Sequence, residues 1–145
     1  MDRNLPTAHA ALGQAKSFID RAEETEPHVQ EALRLSPKDR IAFLWFLYVA
    51  AAKWQLGKQN EALTWCRRSI EANRNHPTVH FFLGSILQCL GREDEARASV
   101  ETGLALNPGF TIRRFKAGMP SNYPGFVAGY QRALGAMREA GVPEG

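Results

Sequence analysis

The chain repeats itself with a period of 34 residues, and this period constrains its fold more than any other feature. Leu56-Gly57 recurs 34 positions later as Leu90-Gly91, and Glu61-Ala62 recurs at the same spacing as Glu95-Ala96. Two further pairs match at that spacing: Ile70 with Leu104, and Asn73 with Asn107. A fixed period of roughly 20 to 50 residues is typical of solenoids, in which each unit buries its apolar face by stacking on its neighbours. We therefore expect a stack of similar units.

An earlier unit is visible at a slightly different spacing. Residues 32–37 match residues 103–108, since both read as a leucine-rich turn of helix that ends in proline. The offset from Leu33 to Ile70 is 37 positions, three more than the period. Three residues are close to one helical turn, so we expect them to lengthen the helix that begins near Arg40.

Each unit reads as two helices. In the third unit Pro77 suits the first position of a helix, and Gly91 suits the left-handed residue that ends it. Residues 93–95 are all acidic and begin the partner helix, where negative charge opposes the helix dipole. The predicted fold is all-α, a right-handed superhelix of antiparallel helix pairs with a C-terminal capping helix. Its predicted divisions within one domain, 1–145, are repeats at about 6–39, 40–76 and 77–110, followed by a degenerate end and capping helix at 111–145.

The two ends of the chain depart from the repeat. In the first unit we expect helices at about 7–22 and 27–35. After the third unit we expect a short helix at 111–117 and a final helix at 123–140. The final helix has one apolar stripe at spacings of three and four, formed by Tyr123, Phe126, Val127, Tyr130, Leu134 and Met137. We interpret it as a cap, because the terminal units of a solenoid must seal the stack.

The pattern resembles the tetratricopeptide repeat family. The matching residues of the third unit are Leu83-Gly84, Ala96, Gly103-Leu104 and Pro108. Those of the second unit are Ala62, Ser69-Ile70 and the turn at Gly57. The resemblance covers about residues 5 to 110, and it implies a module that binds other proteins.

A narrower resemblance covers nearly the whole chain. Several stretches look similar to the repeat-containing C-terminal region of class III adenylate/guanylate cyclases from α-proteobacteria. These stretches are residues 21–26, 31–37, 69–75, 110–115 and 137–145. In such proteins an N-terminal domain performs the chemistry, and none of its metal-binding aspartates or nucleotide-binding residues has a counterpart here. The resemblance implies a regulatory or assembly module of a bacterial signalling protein, and not an enzyme.

Composition agrees with a globular interaction domain. Apolar residues make up 44% of the chain and charged residues 23%, as in ordinary globular proteins. The net charge is +3, and acidic residues are interspersed with basic ones, so nucleic-acid binding is disfavoured.

Cys66 and Cys89 are too few for a disulfide framework or a zinc site, and we expect a cytoplasmic protein with both thiols buried. The most apolar run, residues 41–52, is shorter than the ~20 residues of a membrane span, so no membrane partner is expected.

No catalytic, metal or cofactor site emerges from the motifs. His76 and His80 are four residues apart, as metal ligands on one helix face can be, but no third ligand accompanies them. The more economical interpretation is two ordinary surface or packing histidines. Trp45 and Trp65 are expected in the core, and Trp54 is expected at the groove. The chain contains neither a phosphate-binding loop nor a nucleophile motif, so we expect no catalytic residue, no metal and no cofactor.

The concave groove is the best candidate site. In a repeat stack the first helix of each pair lines the concave surface, and the register of the repeat selects the residues that face it. The candidate binding groove consists of Leu47, Trp54, Gln55, Thr78, Phe81, Ser85, Gln88, Ile112 and Phe115, with Ala51 and Cys89 at its margins. Because this set contains no cluster of Lys or Arg, an apolar helix or an extended segment suits it better than an acidic tail.

The sequence is compatible with two functions. The leading hypothesis is a non-catalytic interaction or scaffold module; the alternative is a groove-based sensor of a small ligand or nucleic acid. A nucleic-acid complex would weaken steeply with salt, whereas binding in an apolar groove would not. The expected partners are a protein or peptide segment, a preceding domain of the same polypeptide, or a second copy of the chain. At the N-terminal end we expect exposed apolar surface, which is either covered by a partner or accommodated by fraying of the first helix. The residues of this surface are Leu5, Leu12, Phe18 and Ile19.

Overall fold

A computed structural model describes residues 4–145 of the protein. This part of the chain contains eight α-helices and one 3-10 turn, and it has no β-strand. The helices are α1 (Asn4–Phe18), α2 (Thr25–Leu35), α3 (Ala42–Gln55), α4 (Gln59–Ala72), α5 (Pro77–Cys89), α6 (Glu93–Leu106), α7 (Ile112–Ala117) and α8 (Pro124–Glu139). The predicted all-α fold is confirmed.

The first six helices form three antiparallel pairs: α1 with α2, α3 with α4, and α5 with α6. The second and third pairs turn at the glycines that recur in the sequence. Gly57 and Gly91 have φ angles of 78° and 76°, in the left-handed region that a Cβ atom disfavours. Each glycine therefore ends one helix and lets the next begin two residues later.

Of the three extra residues between the first and second units, two lie in a connection and one lies in α3. Helix α3 has 14 residues and α5 has 13, so the expectation of a markedly longer α3 is wrong. The connection from α2 to α3 spans residues 36–41, whereas the one from α4 to α5 spans 73–76. The side chain of Ser36 donates a hydrogen bond to the Asp39 carboxylate, which also accepts one from the Ile41 amide. These bonds satisfy the polar groups of an exposed turn.

Helix α1 begins at Asn4 and ends at Phe18, earlier at both ends than the predicted 7–22. The chain leaves the helix at Asp20, whose φ of 61° is the only positive value at a non-glycine residue in the described part of the chain. A left-handed residue breaks the helical hydrogen-bond ladder, and aspartate tolerates this conformation better than most residues do. A 3-10 turn, Ala22–Glu24, then leads into α2.

Small residues allow the paired helices to approach closely. A Cβ atom at Gly84 of α5 would lie 2.9 Å from Val100 Cγ2 and 3.3 Å from the Ala96 carbonyl oxygen of α6. Gly103 of α6 accommodates the ring of Phe81, which would lie 2.8 Å from a Cβ atom there. The recurrence of small residues in the sequence therefore marks the helix crossings.

The core contains the tryptophans that the sequence predicted there. Trp45 is 1% exposed and Trp65 is 8% exposed, both between the helices of the first and second units. Cys66 is fully buried, and its desolvation raises the pKa of the thiol to about 12. Cys89 is exposed near the end of α5, so the expectation that both thiols are buried is wrong. Within residues 4–145, no helix is long and apolar enough to cross a membrane.

Candidate functional site: a concave face covered by the C-terminal helix

The C-terminal helix α8 lies across the concave face that the sequence predicted to be an open groove. Helices α1, α3 and α5 are the first members of their pairs. The main contacts of α8 are with α5 and α3, and its N-terminal end reaches the residues that follow α1. The cap therefore covers the inner surface of the stack.

The N-terminus of α8 is held by Asp20. The two carboxylate oxygens of Asp20 accept hydrogen bonds from the backbone amides of Gly125 and Phe126, at 3.0 and 2.8 Å. Gln55 Nε2 donates a third bond to Asp20 Oδ1, at 3.2 Å. A carboxylate at this position satisfies amides that have no partner within the helix and opposes the helix dipole. The left-handed Asp20 thus links the end of α1 to α3 and α8.

The middle of α8 packs on the end of α3 at Gly129. Trp54 Nε1 donates a hydrogen bond to the Gly129 carbonyl oxygen at 2.8 Å. A Cβ atom at Gly129 would lie 3.6 Å from Gln55 Cα and 3.8 Å from Gln55 Cβ. In the other direction, Arg132 donates to the carbonyl oxygen of Trp54 at 3.1 Å. Trp54 is only 3% exposed as a result.

The second half of α8 packs on α5. Ser85 Oγ donates to the Ala133 carbonyl oxygen at 3.0 Å, and Gln88 donates to the Glu139 carboxylate at 3.4 Å. Leu134 and Met137 join the apolar cluster of the third unit. Burying this stripe stabilises the end of the stack, since each fully buried aliphatic side chain contributes roughly 1.5–3 kcal/mol.

A pocket remains between α8 and the concave helices. Its volume is about 310 Å³, and it is bounded by α1, α3, α5, α7, α8 and the segment that joins α7 to α8. Its lining includes seven aromatic residues: Phe18, Tyr48, Trp54, Phe82, Phe115, Phe126 and Tyr130. Its polar members are uncharged, and no Lys, Arg, Asp or Glu lines it. We call this space the aromatic pocket.

The tyrosines of the aromatic pocket keep it uncharged. Tyr130 donates to the carbonyl oxygen of Phe115 at 2.6 Å, and its ring stacks on the Phe115 ring with the centroids 4.7 Å apart. Burial raises the pKa of Tyr130 to about 12 and also raises the pKa of Tyr48. Both phenols are therefore neutral at physiological pH, and the pocket presents an uncharged surface.

Several of the predicted groove residues line this pocket. Leu47, Trp54, Gln55, Thr78 and Phe115 all do so, and Ala51 joins them. Their use in binding stays a prediction. For the second unit, the repeat register identifies the side of α3 that faces the pocket.

Two predicted groove residues lie elsewhere. Phe81 is fully buried between α5 and α6, where its ring stacks on Phe110 with centroids 3.7 Å apart. Ile112 is 2% exposed, and its amide donates to the carbonyl oxygen of Pro143 in the C-terminal segment. The prediction that these two residues line an open groove is wrong, because both belong to the core of the third unit.

Three other predicted residues are not open to a groove. Ser85 is buried under α8, and Gln88 is engaged with Glu139. Cys89 lies on another side of α5, near Gly57 and the start of α4. The expectation that they face an open groove is wrong, because α8 covers Ser85 and engages Gln88, while Cys89 is exposed on a different side of the helix.

The sequence prediction missed the residues that α1 and α8 contribute. Phe18 packs edge-on against Phe126, with centroids 5.4 Å apart, and Gly129, Tyr130 and Ala133 complete the wall of the pocket. The apolar stripe of α8 was visible in the sequence. Its position against residues 48 to 106 places earlier in the chain was not.

The two histidines have partners that suit packing. His80 Nε2 lies 2.8 Å from the carbonyl oxygen of Arg74, and the His76 ring packs edge-on against Phe43. Partial burial and the neighbouring His80 lower the pKa of His76. Among the described residues, no group of three or more His, Cys, Asp or Glu is placed to hold a metal ion.

Comparison with known families supports the repeat interpretation. The family model described as a tetratricopeptide repeat matches residues 47–76 and 77–110. These two segments contain most of α3 together with α4, α5 and α6, so this part of the chain is similar to tetratricopeptide repeats. No curated protein sequence is detectably similar to this chain.

Solved structures share the fold at low sequence identity. A crystal structure of MamA is 18% identical, with a TM-score of 0.65 over 96% of this chain and 78% of MamA. The first tetratricopeptide domain of Spaghetti (RPAP3), bound to the HSP90 peptide SRMEEVD, is 15% identical, with a TM-score of 0.67 over 95% and 97%. The Yersinia enterocolitica type III secretion chaperone SycD, in complex with a peptide of the translocator YopD, is 15% identical, with a TM-score of 0.68 over 94% and 95%.

Proposed function

We propose that this chain is a non-catalytic interaction module that recognises a protein segment through the aromatic pocket. A bulky, uncharged side chain of the partner enters the space between α8 and the concave helices. The observation that carries this proposal is the pocket itself, about 310 Å³ in volume, rich in aromatic rings and free of charged lining residues. Apolar pockets with a few polar groups are the usual form of a recognition site.

The absence of charge in the lining argues against an acidic partner. The tetratricopeptide relative from RPAP3 is bound to the peptide SRMEEVD, which ends in acidic residues. Recognition of such a tail favours lysine and arginine side chains, which pair with carboxylates. The lining of the aromatic pocket contains neither residue type. A neutral apolar anchor is therefore the better match, because it leaves no buried charge unpaired.

A pair of small probes tests this preference. N-acetyl-phenylalaninamide represents the neutral apolar anchor, and the peptide SRMEEVD represents the acidic one. Methyl NMR spectra should show that the neutral probe shifts the Ala51 and Thr78 signals with a dissociation constant in the millimolar range, as expected for roughly 4 kcal/mol of binding free energy. The acidic peptide should leave both signals unchanged.

Two matched substitutions decide whether the pocket is responsible. Ala51→Trp places an indole in the pocket and should abolish the shifts. Ala98→Trp, at an exposed position of α6 away from the pocket, should preserve them. Tighter binding of SRMEEVD, or equal binding to both variants, would contradict the proposal.

The same pocket favours a second candidate function, the sensing of a free small apolar molecule. The observation that favours it is the lining of the pocket by five helices and a loop. Micromolar affinity for a free aromatic compound, in the absence of any peptide backbone, would favour the sensor. Millimolar affinity for the side-chain mimic, together with much tighter binding of a longer apolar peptide, would favour the interaction module.

We also propose that the module is the regulatory or assembly region of a cytoplasmic bacterial protein related to adenylate/guanylate cyclases. The resemblance of five sequence stretches supports this assignment, and two cysteines without a disulfide framework support the reducing compartment. The purified chain, given ATP or GTP with Mn²⁺, should form no cyclic nucleotide in proportion to its concentration. A cyclase domain encoded in the same or an adjoining reading frame would support the assignment, and an unrelated genomic setting would oppose it.

A further inference from the structure

Helix α1 has two opposite faces, and only one of them is used within the chain. The inner face contains Pro6, Ala10, Gly13 and Ser17, all buried. It is fixed on α2, since Thr25 Oγ1 donates to the Gly13 carbonyl oxygen at 2.6 Å and a Cβ atom at Gly13 would meet His28 Cβ at 3.0 Å. Helix α1 is therefore a rigid element that is positioned by its neighbours.

The outer face of α1 has the pattern of a coiled-coil seam. It consists of Leu5, Ala8, Leu12 and Ala15 of α1 and of Ile19, the residue that follows the helix, at alternating spacings of three and four. All five are exposed, with values of 41% for Leu5, 45% for Leu12 and 38% for Ile19. The other exposed large apolar residues of the described chain are dispersed over other segments. We call this set the α1 seam. Phe18, which was expected to join it, packs against Phe126 instead.

We propose that the α1 seam pairs with the α1 seam of a second copy of this chain, in an antiparallel arrangement. The size pattern of the seam supports this partner, because large residues alternate with alanines. When two such helices run antiparallel, each Leu12 faces Ala8 or Ala15 of the other helix, depending on the register. Each register then forms four layers that each join a large side chain to a small one, with Ile19 or Leu5 left at the end, whereas a parallel pair would stack leucine on leucine and leave voids between alanines.

The charges beside the seam do not oppose this pairing. No charged side chain belongs to the seam itself. Lys16 lies beside it and is paired within its own chain, 3.6 Å from Glu24 Oε1. A surface that is complementary to itself is what a two-fold dimer requires.

One helix pair is a small interface, and such interfaces are weak, so the dimer should dissociate at roughly tens of micromolar. The inference rests on α1 alone and stands whether or not the aromatic pocket binds a partner.

Sedimentation velocity on the full chain, from about 1 µM to 1 mM, tests the association. The wild-type protein should pass from monomer to dimer. Leu12→Glu should weaken the dimer at least ~10-fold, because it places a carboxylate in the centre of the seam. The control Leu106→Glu changes a residue of similar exposure on α6 and should dimerise like the wild type. Circular dichroism confirms that each variant remains folded.

Disulfide trapping tests the orientation, in a Cys89→Ser background. An equimolar mixture of Leu12→Cys and Ala8→Cys proteins, or of Leu12→Cys and Ala15→Cys proteins, should form a mixed disulfide faster than Leu12→Cys alone forms a homodimer. A protein that remains a monomer at 1 mM would overturn the proposal, as would a dimer that Leu12→Glu leaves intact. Preferential trapping of Leu12→Cys with itself would overturn the antiparallel arrangement.

Discussion

At the scale of single residues, glycine acts in two distinct ways in this chain. Gly57 and Gly91 supply left-handed turns, whereas Gly84 and Gly103 supply space at helix crossings. Gly135 does neither, because a Cβ atom there would meet no heavy atom within 4 Å. The cost of adding a methyl group should therefore depend on position, although the sequence change is the same.

Gly84→Ala should destabilise the protein by about 1–3 kcal/mol, because the new methyl group would lie 2.9 Å from Val100 Cγ2. Gly135→Ala, in the open part of α8, should be neutral or stabilise the protein by up to ~1 kcal/mol, because alanine favours the helix. Urea unfolding followed by circular dichroism measures both values. Equal effects of the two substitutions would show that the α5–α6 crossing is not as close as described.

The positions of Phe81 and Leu47 show how far a repeat register predicts side-chain directions. The register placed Leu47 correctly at the concave face, since α3 is aligned with the repeat. It failed for Phe81, because α5 is buried on nearly all sides and its apolar residues do not mark one face. The deciding feature is Gly103, whose missing side chain admits the ring. That contact lies between two helices and produces no periodic pattern in the sequence.

At the scale of elements, α8 is the helix whose position determines the site. Its helical nature and apolar stripe followed from spacing, proline and glycine signals in the sequence. Its docking across the concave face depends on pairs such as Trp54 with Gly129 and Ser85 with Ala133. Such pairs are distant in the chain, and their small members look like ordinary helix residues. The element was therefore predictable, and its location was not.

Asp20 should contribute substantially to the docking of α8. Asp20→Ala removes both hydrogen bonds to the helix N-terminus and places alanine, which disfavours the left-handed region, at a φ of 61°. The substitution should lower the free energy of unfolding by about 1–2 kcal/mol. Hydrogen exchange at the Gly125 and Phe126 amides should accelerate. Asp20→Asn keeps an acceptor and tolerates the same backbone conformation, so its effect should be smaller.

The control for this prediction is Asp94→Ala. Asp94 is fully exposed, and its contact with Arg97 within α6 is long, at 3.8 Å, so its removal should change stability by less than ~0.5 kcal/mol. If Asp20→Ala were as harmless as Asp94→Ala, the link between the end of α1 and α8 would contribute nothing to the fold.

At the scale of the whole molecule, the stack of helix pairs is completed by its own last helix. Helix α8 covers the surface that an open repeat stack presents to a partner, and it reduces that surface to the aromatic pocket. The α1 seam lies on the other side of α1 and remains exposed. The molecule thus presents two distinct surfaces, the partly open aromatic pocket and the α1 seam. We propose a neutral anchor for the first and a second copy for the second.

An engineered disulfide between Gln55→Cys and Gly129→Cys shows whether α8 lies across the concave face in solution. The two Cβ positions are 3.8 Å apart, a usual separation for a disulfide. Cys89→Ser removes the exposed native thiol, and the buried Cys66 is unreactive because burial raises its pKa to about 12. We predict rapid, complete intramolecular oxidation at micromolar protein concentration. A slow reaction would show that α8 does not lie across the concave face. Equal oxidation of a control pair, Gln55→Cys with Gly135→Cys, would show the same.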